Sequence, residues 1–266
     1  MLGKLFRKSG NTGRLAGARV PEGVRVYCIG DIHGRADLLK ALHRGIQTDA
    51  SQGAGGPDMR NIVVYVGDYI DRGMQSREVI DHLLGDPLPG FEKVYLKGNH
   101  DDSLLQFLRD ADFGPLWFSY GGDATVLSYG VRMSPSKVGR DRFEDMRQQF
   151  EANLPPEHLE FLQSLQMMFE CGDYLFVHAG FRPGVGLQEQ KPEDLMWIRE
   201  EFLDSKHDFG KIVVHGHSVT EAPEMKSNRI GIDTGAYGSD TLTCLILEGD
   251  SRYFISTEKA KKAAAS

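Results

Sequence analysis

Residues 67–73 read GDYIDRG, and they directly follow the apolar, largely β-branched run IVVYV at residues 62–66. Such a run predicts a short buried strand. Two glycines enclose two carboxylates and one arginine, so the strand ends in a tight, charged loop. Open α/β sheets bind their ligands at the carboxyl ends of strands. The stretch therefore predicts that functional side chains lie where this strand ends.

The same pattern occurs at four more places, where an apolar run ends in Asp, His or Asn beside glycine. The runs at 24–29, 93–97, 174–177 and 211–214 lead into GDIHG at 30–34, GNHD at 98–101, HAG at 178–180 and HGH at 215–217. Imidazole and carboxylate groups suit first-row transition-metal ions, and glycine lets the backbone approach closely. The strand ends together therefore predict a metal site rather than a part of the core.

In this order, the five tags resemble those of the phosphoprotein phosphatase (PPP) family of calcineurin-like metallophosphoesterases. The resemblance covers roughly residues 24–247, and five ordered tags are far more specific than any one of them. It implies an α/β fold, a metallophosphoesterase-type αββα sandwich of two mixed β-sheets flanked by helices. The bacterial or rhizobial-like branch is more similar than the eukaryotic Ser/Thr enzymes, which carry Glu where this chain has Asp101 and often glycine where it has Ala179. A counterpart of their tyrosine-bearing C-terminal loop is missing unless Tyr237 fills it.

Length and composition are typical of one globular catalytic domain. Of the 266 residues, 40% are hydrophobic and 26% are charged, and no Pro-rich or Ser-rich linker divides them. We expect a basic, disordered arm at 1–21, the catalytic domain at 22–257 and a polar tail at 258–266. The net charge of −7 argues against nucleic acid as a partner, and no apolar run approaches the ~20 residues of a transmembrane segment. The three scattered cysteines are expected to be buried residues of a cytoplasmic protein.

Hydrophobic periodicity predicts a helix after each of the first three site loops, hence a β-α-β-α-β unit with a parallel sheet. The segment from 112 to 172 is rich in aromatic residues and glycine, which predicts a loop-rich excursion with two helices in its second half. We expect its aromatic residues to lie in the core. The remaining predictions are helices at 140–154, 157–168 and 192–206, followed by antiparallel strands at 229–233, 242–247 and 253–256.

The family resemblance implies two divalent ions, roughly 3.5–4 Å apart, that share a bridging hydroxide as the nucleophile. Mn²⁺ is favoured, and Fe²⁺ and Zn²⁺ stay open because all three accept nitrogen and oxygen ligands. His217 is preferred over His215 as a ligand, because Ser218 follows it as in the family motif. The implied ligands are Asp31 and His33 for the first ion, Asp68 as the bridge, and Asn99, His178 and His217 for the second ion.

The resemblance also implies an acid pair and two phosphate-binding arginines. His100 would protonate the leaving oxygen while Asp71 orients its imidazole. Arg72 and Arg199 would hold the phosphate oxygens as planar, bidentate donors. For Arg199 the alternative is a surface ion pair with Glu193 or Glu200.

These implications favour a metal-dependent phosphomonoester hydrolase, a protein phosphatase acting on phosphorylated Ser/Thr or Tyr in a protein or peptide. One alternative is a diadenosine-tetraphosphatase-like nucleotide hydrolase of the same superfamily. Another is a catalytically silent binding scaffold, which would be expected to lose ligands that this chain retains. The sequence ranks neither the phosphorylated residue nor the oligomeric state.

Overall fold

The computed structural model describes residues 15, 17–52 and 59–257. The predicted tail at 258–266 and most of the predicted arm at 1–21 lie outside the described residues. Ala18 and Val20 are described and buried in the core, so packing begins earlier than residue 22. Every helix within the described ranges is too short or too polar to cross a bilayer.

The first sheet contains the predicted β-α-β-α-β unit. Strands β1 (Val24–Ile29), β2 (Arg60–Tyr65) and β3 (Glu92–Tyr95) are parallel, and helices α1 (Ala36–Gln52) and α2 (Ser76–Leu84) connect them. Strand β9 (Thr243–Glu248) returns from the end of the chain to pair antiparallel with β1, and β10 (Ser251–Ser256) forms a hairpin with it. The strand order is β10-β9-β1-β2-β3.

The centre of the second sheet is parallel, with β5 (Tyr174–Val177), β6 (Ile212–His215) and β8 (Arg229–Gly231), while β4 (Met168–Cys171) and β7 (Glu224–Met225) are antiparallel edges. The strand order is β4-β5-β6-β8-β7. The predicted antiparallel pairing is confirmed for β9 and β10 and for β8 against β7. Strand β8 also pairs parallel with β6, which was not predicted. The turn residues near β8 indicate only that the chain reverses direction locally. The position of β8 beside β6 depends instead on burial of Ile230 between the two sheets.

The two sheets stack face to face and helices cover both outer faces. Side chains of both sheets, including Val26, Val64, Phe176 and Val214, form one buried cluster between them. Helices α1, α2 and α3 (Asn99–Arg109) cover the outer face of the first sheet, and α8 (Pro192–Trp197) and α9 (Glu200–Leu203) cover that of the second. Each fully buried aliphatic or aromatic side chain contributes about 1.5–3 kcal/mol. The two stacked sheets and the helices on both outer faces confirm the predicted αββα sandwich.

The segment predicted to be loop-rich is largely helical. It contains α4 (Gly114–Ser119), α5 (Gly122–Ser128), α6 (Gly139–Asn153) and α7 (Pro156–Ser164). A Cβ atom at Gly122 would overlap the Trp117 ring, and one at Gly114 would overlap Phe143. These glycines therefore serve close packing rather than turns, which is why the sequence pattern was misleading. Trp117 and Tyr129 are buried, as expected for core residues. The expectation is wrong for Tyr120, which is half-buried and whose ring lies 6.0 Å from the His100 ring.

Two predicted helices also end earlier than expected. Helix α7 stops at Ser164, and Met168 already begins β4. The helix predicted at 192–206 is interrupted at residues 198–199, so Arg199 caps α9 instead of lying within a continuous helix. The fold also contains α10 (Ala236–Ser239) and short 3₁₀ helices at Ala111–Phe113 and Leu187–Glu189.

Candidate metal centre

The carboxyl ends of five strands meet at one edge of the sandwich and bring most of the predicted ligands together. Two groups of side chains have potential ligand atoms within 4.8 Å of one another. The first contains His33, Asp68 and His100, and the second contains Asp68, His178 and His217. Asp68 is common to both and is 1% exposed. The arrangement fits a dinuclear site, with Asp68 at the position of a bridging ligand.

His178 and Asn99 face each other in a way that fits a shared cation. His178 Nδ1 lies 2.8 Å from the Val66 carbonyl oxygen, which accepts only if that nitrogen carries the proton. The unprotonated Nε2 then lies 2.9 Å from Asn99 Oδ1 and 3.4 Å from Asp68 Oδ2. Each of these three atoms, His178 Nε2, Asn99 Oδ1 and Asp68 Oδ2, presents a lone pair to the others. At these distances they repel one another unless a cation lies among them.

Asp31 lies outside both groups, but its surroundings also fit a cation. Its Oδ2 accepts a hydrogen bond of 3.0 Å from the His217 backbone N–H. Its Oδ1 and the Nε2 atom of His217 are buried, and neither has a hydrogen-bond partner among the described residues. Orphaned buried atoms of this kind are costly in a protein interior. They therefore fit a metal-ligand role.

Five carboxyl groups are buried at or beside the candidate site. Asp31, Asp68, Asp71, Asp101 and Asp233 are each at most 1% exposed. Burial, together with repulsion from Asp233 and Asp68, raises the pKa of Asp31 well above its ordinary value. Burying uncompensated charges costs several kcal/mol per ion. Divalent cations would remove this penalty.

Burial favours the neutral, metal-binding form of His33 and His217. Burial lowers the pKa of His33 to about 3 and that of His217 to about 2. His33 Nδ1 donates to the Ile70 carbonyl oxygen at 2.9 Å, and its Nε2 lies 3.5 Å from Asp68 Oδ2. This hydrogen bond selects the tautomer that presents Nε2 to the site. Burial opposes ionisation of Asp68, but the surrounding histidines hold its pKa below the ordinary value.

The loops adopt backbone conformations that are unusual for residues with side chains. His33, Asp68, Asp71, Arg72 and His217 have φ angles between 46° and 73°, in the left-handed region. Such residues cost of order 1–3 kcal/mol each and cluster at functional sites. Glycine is needed beside them: a Cβ atom at Gly98 would overlap the Asp68 carboxylate, and one at Gly216 would overlap Asp31. The glycines of the sequence tags thus let carboxylates pass close to the backbone.

The predicted acid pair is in hydrogen-bond contact. His100 Nδ1 lies 2.7 Å from Asp71 Oδ2, and Asp71 also accepts from Trp117 Nε1 at 2.8 Å and from Thr125 Oγ1 at 2.6 Å. Burial lowers the pKa of His100, but attraction to Asp68 and Asp71 outweighs it and raises the pKa above the ordinary value. His100 Nε2 lies 3.9 Å from Asp68 Oδ2, so the imidazole reaches the same space as the candidate ligands.

The two predicted phosphate-binding arginines border the site. The Arg72 Nη2 atom lies 3.3 Å from His100 Nε2, and its guanidinium lies 4.6 Å from the centre of the Tyr237 ring. Arg199 is exposed and donates to the His217 carbonyl oxygen and to Ser218 Oγ, both at 3.3 Å. Among the described residues it forms no ion pair with Glu193 or Glu200, the alternative that the sequence left open.

Three supporting residues were not predicted from the sequence. Asp233 follows β8 by two residues and lies beside Thr234 and Gly235, so it repeats the pattern of a polar residue after a strand and could have been found in that way. Trp117 and Thr125, which hold Asp71, carry no sequence signal because their contact with it depends on the tertiary fold. All three are buried.

His215 points away from the two groups of ligand atoms. Its Nε2 lies 3.5 Å from Arg229 Nη1, its ring packs edge-on against Phe202, and burial lowers its pKa to about 4.

We predict that His217→Ala removes about one bound metal ion per chain, whereas the matched variant His215→Ala keeps both ions. Elemental analysis of the purified variants measures this. Loss of metal from the His215 variant alone would reverse the assignment.

Asp101 holds the two loops that carry the bridge and the acid. Its carboxylate accepts hydrogen bonds from the backbone N–H groups of Asp68, Tyr69 and Gly98 at 2.9–3.1 Å. Asparagine offers one acceptor oxygen, so Asp101→Asn should leave at least one buried N–H facing an amide group. We expect unfolding by denaturant to show a loss of about 2–4 kcal/mol. Asp102→Asn, one position further on the same helix, should change stability by less than about 0.5 kcal/mol, and equal losses in both variants would contradict this role.

Comparison with known proteins agrees with the geometry. The calcineurin-like phosphoesterase family matches residues 24–239. This is most of the chain, and the protein therefore belongs to that family.

Relatives indicate where in the family the similarity lies. The asymmetrical bis(5′-nucleosyl)-tetraphosphatase PrpE of Anoxybacillus flavithermus is 27% identical over 236 residues, covering 82% of this chain and 88% of the relative. PrpE of Bacillus subtilis is 25% identical over 81% of this chain and 87% of its own length. A crystal structure provisionally assigned as a diadenosine tetraphosphatase has 19% identity and a TM-score of 0.58, covering 94% of this chain and 97% of that one. A cold-active protein tyrosine phosphatase has 18% identity and a TM-score of 0.51, covering 86% and 77%. At these identities the two structures show a shared fold.

Proposed function

We propose that this protein hydrolyses bis(5′-nucleosyl) tetraphosphates, such as diadenosine tetraphosphate, with two divalent metal ions, for which Mn²⁺ is our first candidate. The observation that carries the phosphoester chemistry is the buried pair of ligand groups sharing Asp68. The substrate class is supported by the similarity to PrpE proteins over more than four fifths of the chain. The relatives thus favour the nucleotide hydrolase, which the sequence left as an alternative, over the protein phosphatase.

The proposed ligands are Asp31, His33, Asp68, Asn99, His178 and His217. When bound, the two ions supply Lewis-acid chemistry, which polarises phosphoryl oxygens and lowers the pKa of water. The chain's own residues then orient the substrate. Arg72 and Arg199 hold the phosphate oxygens.

His100 serves in this proposal as the proton donor for leaving oxygens that do not depart readily as anions. Its Nδ1 is occupied by Asp71 at 2.7 Å, so Nε2 is the nitrogen that can deliver a proton to the leaving oxygen. Asp71 keeps the tautomer and ring orientation, and its bonds from Trp117 and Thr125 fix the carboxylate in turn. The left-handed backbone at Asp71 and Arg72 directs the acid pair and the phosphate-binding group from adjacent positions.

The test compares substrates with Mn²⁺-loaded wild-type protein. We expect kcat/KM for diadenosine tetraphosphate to exceed that for phosphoserine and phosphotyrosine peptides by about 100-fold or more, because a site built around polar substrate groups discriminates strongly. Chromatography of the products should show AMP and ATP in equal amounts, as asymmetrical cleavage requires. A higher kcat/KM for either peptide would overturn the substrate assignment and restore the protein phosphatase.

A further inference from the structure

A cavity of about 520 Å³ adjoins the candidate metal centre and takes no part in the chemistry above. Its walls come from the segments around residues 219–221 and 234–241. Tyr237 lies between the cavity and the candidate metal centre. It lines the cavity, and its ring lies 5.4 Å from the His33 ring and 4.6 Å from the Arg72 guanidinium. A group in this cavity would therefore lie next to a phosphate held by Arg72.

The lining has the chemistry of a neutral, flat and hydroxyl-bearing ligand. Val219 and Tyr237 are large apolar side chains that are 51% and 42% exposed, and both line this cavity. Glu221 is exposed, and it makes no hydrogen bond or ion pair with any other described residue. Among the residues that the structure describes, no Lys or Arg lines the cavity. Exposed apolar surface favours an aromatic ring, a free carboxylate accepts hydrogen bonds from a ribose diol, and the lack of cations disfavours a phosphate.

The wall that carries Tyr237 is held in place. Arg35 Nη1 donates to the Ala236 carbonyl oxygen at 3.0 Å and to Asp240 Oδ1 at 2.6 Å, and Asp233 Oδ1 accepts from the Gly235 N–H at 2.8 Å. Arg35 follows the first metal-binding loop, and Asp233 lies two residues after the end of β8. The cavity is therefore built from the same loops that build the metal centre. A preformed wall lowers the entropy cost of binding a ligand.

We propose that this cavity binds a nucleoside of the substrate, with its base against Tyr237 and Val219 and its ribose hydroxyl groups toward Glu221. This inference rests on the proposed function and adds the position of the nucleoside. In this proposal, the bound nucleoside is the one attached to the phosphate that Arg72 holds. The rest of the polyphosphate then extends away from Tyr237.

Filling the cavity tests the proposal. Gly238 lines it, has open space where a Cβ atom would lie and lacks a positive φ, so Gly238→Phe adds a ring without backbone strain. We expect this variant to raise KM for diadenosine tetraphosphate by about 10- to 100-fold, the range for loss of a base-stacking contact. The kcat/KM for nitrophenyl phosphate, which has no nucleoside, should stay within about twofold. Leu84→Phe adds a similar ring at an exposed position on α2 and should leave both substrates unchanged.

Two further variants keep the test open if Gly238→Phe fails to fold. Val219→Asp and Glu221→Gln should each raise KM for diadenosine tetraphosphate while nitrophenyl phosphate is unaffected. Unchanged KM values in all folded variants would overturn the nucleoside site while leaving the proposed function intact. A wild-type protein that does not hydrolyse diadenosine tetraphosphate would overturn both. A KM change for a phosphopeptide alone would assign the cavity to a peptide instead.

Discussion

Replacing Asp68 with asparagine is expected to lower kcat by about 10³-fold or more and to reduce the bound metal content. Asp68 is common to the two groups of ligand atoms, and a bridging carboxylate contributes its charge to both ions. Loss of a ligand that supplies several kcal/mol of charge stabilisation corresponds to at least three powers of ten in rate. The fold should survive, because asparagine can still accept the hydrogen bond of 3.0 Å that His100 N–H donates to Asp68 Oδ1.

The control for this variant is Asp112→Asn. Asp112 lies in the short 3₁₀ helix that follows α3. It is exposed, and its Oδ1 atom lies 2.9 Å from Arg140 Nε. The Asp112→Asn variant should keep wild-type activity and metal content. Activity of the Asp68 variant near the wild-type level at saturating Mn²⁺ would contradict the bridging role.

Replacing His100 with asparagine should produce a loss that depends on the leaving group. General acid catalysis contributes typically ~10²–10⁴-fold, and it matters most where the leaving oxygen is a poor leaving group. A serine alkoxide needs the proton, whereas nitrophenolate and a nucleotide phosphate leave readily as anions. We therefore expect a large loss of kcat for a phosphoserine peptide and a small loss for nitrophenyl phosphate and diadenosine tetraphosphate.

Asp71→Asn is the companion to this experiment. It should show the same bias in milder form, because the imidazole remains but loses its charged partner at 2.7 Å. Metal content should stay near wild type in both variants, since neither residue is a proposed ligand. The measurement is kcat on the three substrates at matched metal loading. Equal losses on all three would remove His100 from the acid role.

The sequence predicted those features that local chemistry determines. Runs such as 62–66 are too apolar to lie at the surface, and the glycines beside Asp31 and Asp68 mark loops where backbone and carboxylate approach closely. Parallel strands bring their carboxyl ends to one edge, so the convergence of the tags followed from the predicted topology. The αββα architecture itself was implied by the resemblance of the five tags to those of the phosphoprotein phosphatase family.

Features that depend on distant contacts were not predictable. The bond from Trp117 to Asp71 joins residues 46 positions apart, and Trp117 alone reads as a core residue. Gly114 and Gly122 suggested loops, although they make room for Phe143 and Trp117 between helices. Asp233 was not predicted although it follows β8 by only two residues, because the turn residues after it indicate antiparallel pairing and not the parallel pairing of β8 with β6.

The most direct test of a dinuclear metal-dependent tetraphosphate hydrolase is a metal titration. Protein stripped of metal by a chelator is titrated with Mn²⁺ while bound metal and AMP release from diadenosine tetraphosphate are measured on the same samples. We expect no turnover without metal and a rise that saturates when two ions are bound per chain. Full activity in the metal-free protein, or no AMP release with two ions bound, would contradict the account.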